Sequence, residues 1–224
     1  MNIKKLELLA ADIQAQNHFY SMVLELPVNV SNEMLEVQAG KTILIFTQAP
    51  SDFDGAYHFA FNIPENQFGV AKEWISSRIP LLHDETGKED FESANWNSHS
   101  IYFKDTAGNV LEFIARHSLK NAVLGEFDSS QILNISEIGL PSDDVITFAN
   151  ELCAQLGLFV FKQESNATFT PVGDDKGLFI LPIKDRIWIP NSGVPAKLLP
   201  VKVQGEANGK QWKLRGVPYE ISTK

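Results

Sequence analysis

The chain has 224 residues, with 19 Lys and Arg against 28 Asp and Glu for a formal charge of -9, and 44% of its residues are apolar. An acidic chain without a basic stripe is a poor ligand for nucleic acid or anionic membranes, which need clustered cations to displace counterions. The composition is ordinary globular usage and excludes a mainly disordered polymer, and the length allows one large core or two small ones.

No apolar run approaches the roughly 20 residues that cross a bilayer, and Met1-Asn2-Ile3-Lys4-Lys5 leads into a strand-like run without an apolar signal core, so a cytoplasmic protein is expected. The single cysteine, Cys153, excludes an internal disulfide or a thiolate metal cluster. It lies in the helix-like run 148–156, where a buried structural thiol is the natural reading.

In chain order, residues 6–9 read as a short strand. Asp12 follows as a helix N-cap, and Ile13, Phe19, Tyr20, Val23 and Leu24 fall on one helical face until Pro27 closes it. Strands are expected at 28–30, 34–38 and 41–48, the last two joined by Ala39-Gly40 as a hairpin. After the turn-rich stretch 49–55 the pattern restarts with a strand at 57–63, an amphipathic helix at 67–78 and a strand at 81–84. A polar loop at 85–95 then leads to strands at 96–104 and 110–115, joined by the turn Asp105-Thr106-Ala107-Gly108-Asn109. A third copy begins after a linker at 119–132. It comprises a strand at 135–140, a helix opened by Asp143 or Asp144 and running through Gly157, and strands at 158–162, 167–171 and 177–182. Leu24-Glu25-Leu26-Pro27-Val28 is echoed by Leu156-Gly157-Leu158-Phe159-Val160, each twelve residues after an Asp that opens a helix. This spacing marks an internal repeat. A short strand and turn are expected at 186–193, and the tail beyond 195 carries no diagnostic pattern.

Two segments resemble the vicinal-oxygen-chelate superfamily, which includes glyoxalase I, extradiol dioxygenases and the fosfomycin- and bleomycin-resistance proteins. One runs from Asp12-Ile13 through His18-Phe19-Tyr20 to Val23-Leu24-Glu25-Leu26. The other is Ile101-Tyr102-Phe103-Lys104-Asp105-Thr106-Ala107-Gly108-Asn109-Val110-Leu111-Glu112-Phe113. The resemblance implies an α+β fold of repeated βαβββ modules, curled into incomplete mixed barrels with flanking helices. The domains expected are a paired-module unit at 1–118, a linker at 119–132, and a third, divergent module with its tail at 133–224.

The resemblance also implies a metal ligand on each of several strands. His58 and Glu112 match the family's ligand positions, and Glu112 would carry the catalytic role. Imidazole and carboxylate suit Zn, Mn, Fe or Ni with positions left open for substrate. The first module should offer a His where the sequence has Lys5, whose ammonium has no lone pair. Two alternatives follow: Glu7 joins His58 and Glu112 as a ligand, or a Lys5–Glu112 ion pair holds a metal-free site. Tyr102, Ser100 and Ser98 share the face of Glu112 and would contact substrate, whereas His99 would face away. Glu137, at the place of Lys5 in the third copy, is expected on an exposed strand face, and Trp188 under a loop. The functions implied are a glyoxalase- or dioxygenase-like lyase, isomerase or oxygenase acting on a small polar organic molecule with one divalent metal, or a metal-free binding protein of the bleomycin-resistance type. The unpaired third module suggests a homodimer.

Overall fold

A computed structural model describes residues 1–223. The first module opens with β1 (Asn2–Ala10). Asp12 then accepts the Ala15 amide at 2.8 Å and starts α1 (Ile13–His18), which widens into one π-helical turn at Phe19–Val23. β2 (Val28–Val30), β3 (Met34–Ala39) and β4 (Thr42–Gln48) complete it. The second module is β5 (His58–Ile63), α2 (Phe68–Ser76), β6 (Asp90–Ser93), β7 (Ser98–Lys104) and β8 (Val110–Arg116). The third is β9 (Asn134–Gly139), α3 (Val145–Leu156), β10 (Phe169–Asp174) and β11 (Gly177–Pro182). Asp144 caps α3 as Asp12 caps α1, accepting the Thr147 amide at 3.0 Å. The echoed exit holds in detail, because Glu25 and Gly157 both take left-handed backbone, with φ of 53° and 63°.

The chain ends in three strands where no diagnostic pattern is expected: β12 (Val201–Ala207), β13 (Lys210–Gly216) and β14 (Glu220–Thr223). The signals were present. Val201, Val203, Gly205 and Ala207 alternate buried with more exposed partners, and Asn208-Gly209 is a strong hairpin turn. Other expectations need correction. Residues 158–162 form no strand but a single bridge, Val160 to Val172, and a 3-10 turn at Phe161–Gln163. Leu81 and Ile187 each contribute one isolated bridge rather than a strand, and the polar loop before residue 95 contains β6.

The strands form two seven-stranded sheets, in the orders β14-β13-β12-β1-β4-β3-β2 and β10-β11-β9-β5-β8-β7-β6. In the first, β1 is parallel to β4 and antiparallel to β12. In the second, β5 is parallel to β8 and antiparallel to β9. The same plan is thus built twice. The partners, however, are not the expected consecutive ones: the second module shares its sheet with the third, and the first shares its sheet with the terminal strands. Burial gives the physical reason. All six residues of β5 and five of six in β9 are buried, so both strands can line a dry interior, while β1 alternates buried residues with half-exposed ones such as Lys5, Glu7 and Leu9. The third module thus finds its sheet partner within the chain.

Most apolar side chains join one core that runs through both sheets and the helices, and α3 contributes Val145, Phe148, Ala149, Leu152 and Leu156 at helical spacing. A smaller cluster, including Tyr102, Val110, Phe161, Ile180 and Trp188, occupies the hollow of the second sheet. Cys153 is half-buried on α3, and burial pushes its thiol pKa up, away from nucleophilic character.

Candidate metal centre

Register places the site. His58 and Ala60 lie two apart on β5 and share its inner face. Ala60 is the partner of Glu112 on β8 and of Glu137 on β9, so two carboxylates flank a single methyl group across three adjacent strands. A bulge at Ser136 of β9, opposite the step from Ala60 to Phe61 on β5, shifts the β9 register there and allows Glu137 to face the hollow. The small residue between the carboxylates leaves room for them to converge.

The result is three buried donors, His58, Glu112 and Glu137, with ligand atoms all within 4.8 Å of one another. His58 Nε2 lies 3.7 Å from Glu112 Oε2 and 3.9 Å from Glu137 Oε2, too long for hydrogen bonds. On the other side of the ring, Nδ1 is 3.0 Å from the Val110 carbonyl, a position that only an N–H can use. Burial lowers the imidazole pKa to about 4, so the ring is neutral with its proton on Nδ1 and its Nε2 lone pair aimed at the carboxylates. Although the two ring-to-carboxylate distances fall within ion-pair range and the Val110 hydrogen bond favours the protonated ring, burial outweighs them and favours the uncharged one.

The carboxylates are under the opposite pressure. Burial, and then the charge of Glu137, push the Glu112 pKa well up, with hydrogen bonds from Ser100 and Tyr102 opposing. Burial raises that of Glu137 too, against the Arg116 guanidinium bonded to its Oε1. Tyr102, directly across from Glu112 in the antiparallel register, is held as a neutral phenol by burial and by both carboxylate charges. A lone pair and two like charges facing one another in a dry site form an arrangement that a cation relieves.

The donor set fits a divalent metal. Bonds of about 2.0–2.2 Å at a tetrahedral angle put donor atoms about 3.4 Å apart, so His58 at 3.7 and 3.9 Å from the two carboxylates needs shifts of a few tenths of an ångström, and the three donors together, within 4.8 Å of one another, need a contraction of up to about 1.4 Å. The Val110 carbonyl already fixes the tautomer and ring orientation that a ligating His needs.

A cavity of about 300 Å³ opens above these residues. Its walls include Phe91, Trp96, Tyr102 and Trp188, with Ser98 and Ser100 as polar points. The Trp188 ring lies 4.7 Å from that of His58, so this residue packs against the site itself.

Of the residues named from sequence, the structure brings His58, Glu112, Tyr102, Ser100 and Ser98 to this hollow. Lys5 and Glu7 lie on the other sheet, and both ideas built on them fail. The Lys5 ammonium pairs with Glu7 at 2.9 Å rather than with Glu112, and Glu7 also pairs with Lys202 at 3.2 Å. Burial opposes ionisation of Glu7, but the two lysines outweigh it and hold its pKa low. Glu137, expected on an exposed face, is 2% exposed and supplies the third carboxylate. Arg116 was not anticipated. As expected from parity, His99 faces away from the hollow, where its Nδ1 meets His117 Nε2 at 2.8 Å.

The chain has an α+β, glyoxalase-like fold of repeated βαβββ modules. Over 96% of its length it is similar to a "putative dioxygenase" from Bacillus subtilis, with a TM-score of 0.62 at 14% identity and 81% of that chain covered. Half of it, 50%, matches 91% of a lactoylglutathione lyase from Agrobacterium tumefaciens, with a TM-score of 0.41 at 22% identity. The fosfomycin resistance protein FosX from Listeria monocytogenes, solved with Mn(II) and a dihydroxypropylphosphonic acid, matches 50% of the chain with a TM-score of 0.40 at 17% identity. No family model matches the sequence, and no curated protein matches it. No helix among the described residues is long and apolar enough to cross a membrane.

Proposed function

We propose that this chain binds one divalent cation through His58, Glu112 and Glu137 and acts on a small organic molecule held in the cavity above them. The observation that carries this reading is the convergence of two buried carboxylates on an imidazole lone pair whose tautomer the Val110 carbonyl has fixed. A bound cation would supply Lewis acidity to substrate oxygens. Around it, the Tyr102 phenol, kept protonated, is placed to donate to a ligand oxygen, and Ser98 and Ser100 offer further donors. The aromatic walls exclude water and favour a ligand with apolar surface. Lyase, isomerase and oxygenase chemistry are all served by such a centre.

A second reading, metal-free capture of a ligand, is favoured by one observation: Arg116 already compensates Glu137, and burial favours the uncharged acid at Glu112. Elemental analysis separates the two. Protein prepared without chelator, or incubated with Mn, Fe(II), Zn or Ni and desalted, is expected to retain about one ion per chain, and to lose it in His58→Ala and Glu112→Ala. A folded wild-type chain that retains none of these ions would overturn the metal reading.

A further inference from the structure

Arg116 ends β8, four residues beyond Glu112 on the same inner face, and its side chain is 0% exposed. Few side chains are harder to bury, so its surroundings show what it does. Nη2 bonds to Glu137 Oε1, Nε donates to Asn62 Oδ1 at 3.3 Å, and the guanidinium carbon lies 5.5 Å from the Trp96 ring and 5.7 Å from that of Phe161. Nη1 is buried, with no hydrogen-bond partner among the described residues, 4.0 Å from Asp175 Oδ1. Arg116 thus occupies one oxygen of Glu137 and leaves the other, Oε2, facing His58.

We propose that Arg116 is a positioning residue that limits Glu137 to one ligating oxygen and sets the centre's charge so that it takes an anionic ligand. This rests on the metal centre proposed above. The two ligand carboxylates and the guanidinium carry one net negative charge, so a divalent cation leaves these groups with one net positive charge, the partly exposed Asp175 carboxylate lying outside them at the limit of ion-pair range from Nη1. In so dry a site that excess favours a deprotonated ligand, such as an alkoxide, an enolate or a small inorganic anion, over its neutral form. Removing the guanidinium frees Glu137 Oε1 to join Oε2 on the metal and cancels the excess charge.

The test uses the full chain loaded with Co(II), whose visible absorption weakens as coordination number rises, and azide as the anionic probe. In Arg116→Met the absorption is expected to fall as Glu137 becomes bidentate, and azide affinity to drop about tenfold. Arg116→Lys, which keeps the charge but has one compact donor group in place of the fork, is expected to hold azide affinity within roughly threefold of wild type. If Arg116→Met does not fold, Arg116→Gln replaces it with the same two expectations. A folded neutral variant with the wild-type spectrum and azide affinity would overturn the assignment while leaving the metal centre standing. Failure of the wild-type chain to bind Co(II) would instead overturn the centre itself, and this proposal with it.

Discussion

The turn between β7 and β8 hangs on one carboxylate, and its removal should be among the costliest single changes outside the site. Asp105 is 6% exposed and accepts five hydrogen bonds: from Gln16 Nε2 at 2.9 Å, Tyr20 Oη at 3.2 Å, Asn109 Nδ2 at 2.7 Å, and the Ala107 and Asn109 amides at 3.0 Å each. The first two donors come from the first module and are themselves fully buried, so Asp105 ties that module to the second. Asp105→Ala leaves both without an acceptor, at about 1–3 kcal/mol each, and loosens a turn whose amides regain some water. The expected loss is about 4 kcal/mol, a large share of a typical stability of about 5–15 kcal/mol. Asp105→Asn keeps the shape but turns an NH₂ toward some of these donors and should lose about 2–3 kcal/mol. Urea unfolding measures both through the midpoint at unchanged slope. Losses below about 1 kcal/mol in both variants would refute the reasoning.

Three further expectations follow from the geometry. In the metal-free protein His58 has a folded pKa of about 4 against an ordinary 6.5, so its contribution to stability is present above pH 6.5 and is lost as pH falls through 4. Nitrogen NMR should show a neutral Nδ1–H ring at pH 6, the stability advantage over His58→Gln should shrink by up to about 3 kcal/mol on acidification, and an imidazolium at pH 6 would contradict this. A Cβ at Gly139 would meet the Trp188 ring at 2.5 Å, so Gly139→Ala should displace the indole from His58 at a cost of about 1–3 kcal/mol. Near-UV circular dichroism reads that displacement, and an unchanged spectrum would count against the packing described. Lys5→Ala and Glu7→Ala lie on the other sheet and should leave metal content unaltered in elemental analysis; loss of the ion in either would return Glu7 to the site.

The local elements were legible because their signals are local. Asp12 and Asp144 cap helices, Pro27 closes one, and the turn from Asp105 to Asn109 joins two strands where its residue types say it should. The order in which modules pair was not legible, because it depends on which strands tolerate burial on both faces. The weak alternation of β5 and β9 encodes that property only once both are seen together. Glu137 illustrates the difficulty. Between Ser136 and Ile138, on a strand buried on both sides, it gives no period-two pattern. The repeat nevertheless set it level with Lys5, and following that alignment instead of average burial would have found the third carboxylate. Arg116 was hidden for the opposite reason, since a cation at a strand end ordinarily reaches water and here does not.

The central claim is best tested by anomalous diffraction from crystals grown with Mn(II) or Zn(II), recorded at the metal's absorption edge. A single strong peak is expected about 2.0–2.3 Å from His58 Nε2, one oxygen of Glu112 and Oε2 of Glu137, with Arg116 still on Oε1. A peak elsewhere, or a hollow in which Glu112 bonds only to Tyr102 and Ser100 with no ion at saturating metal, would contradict it.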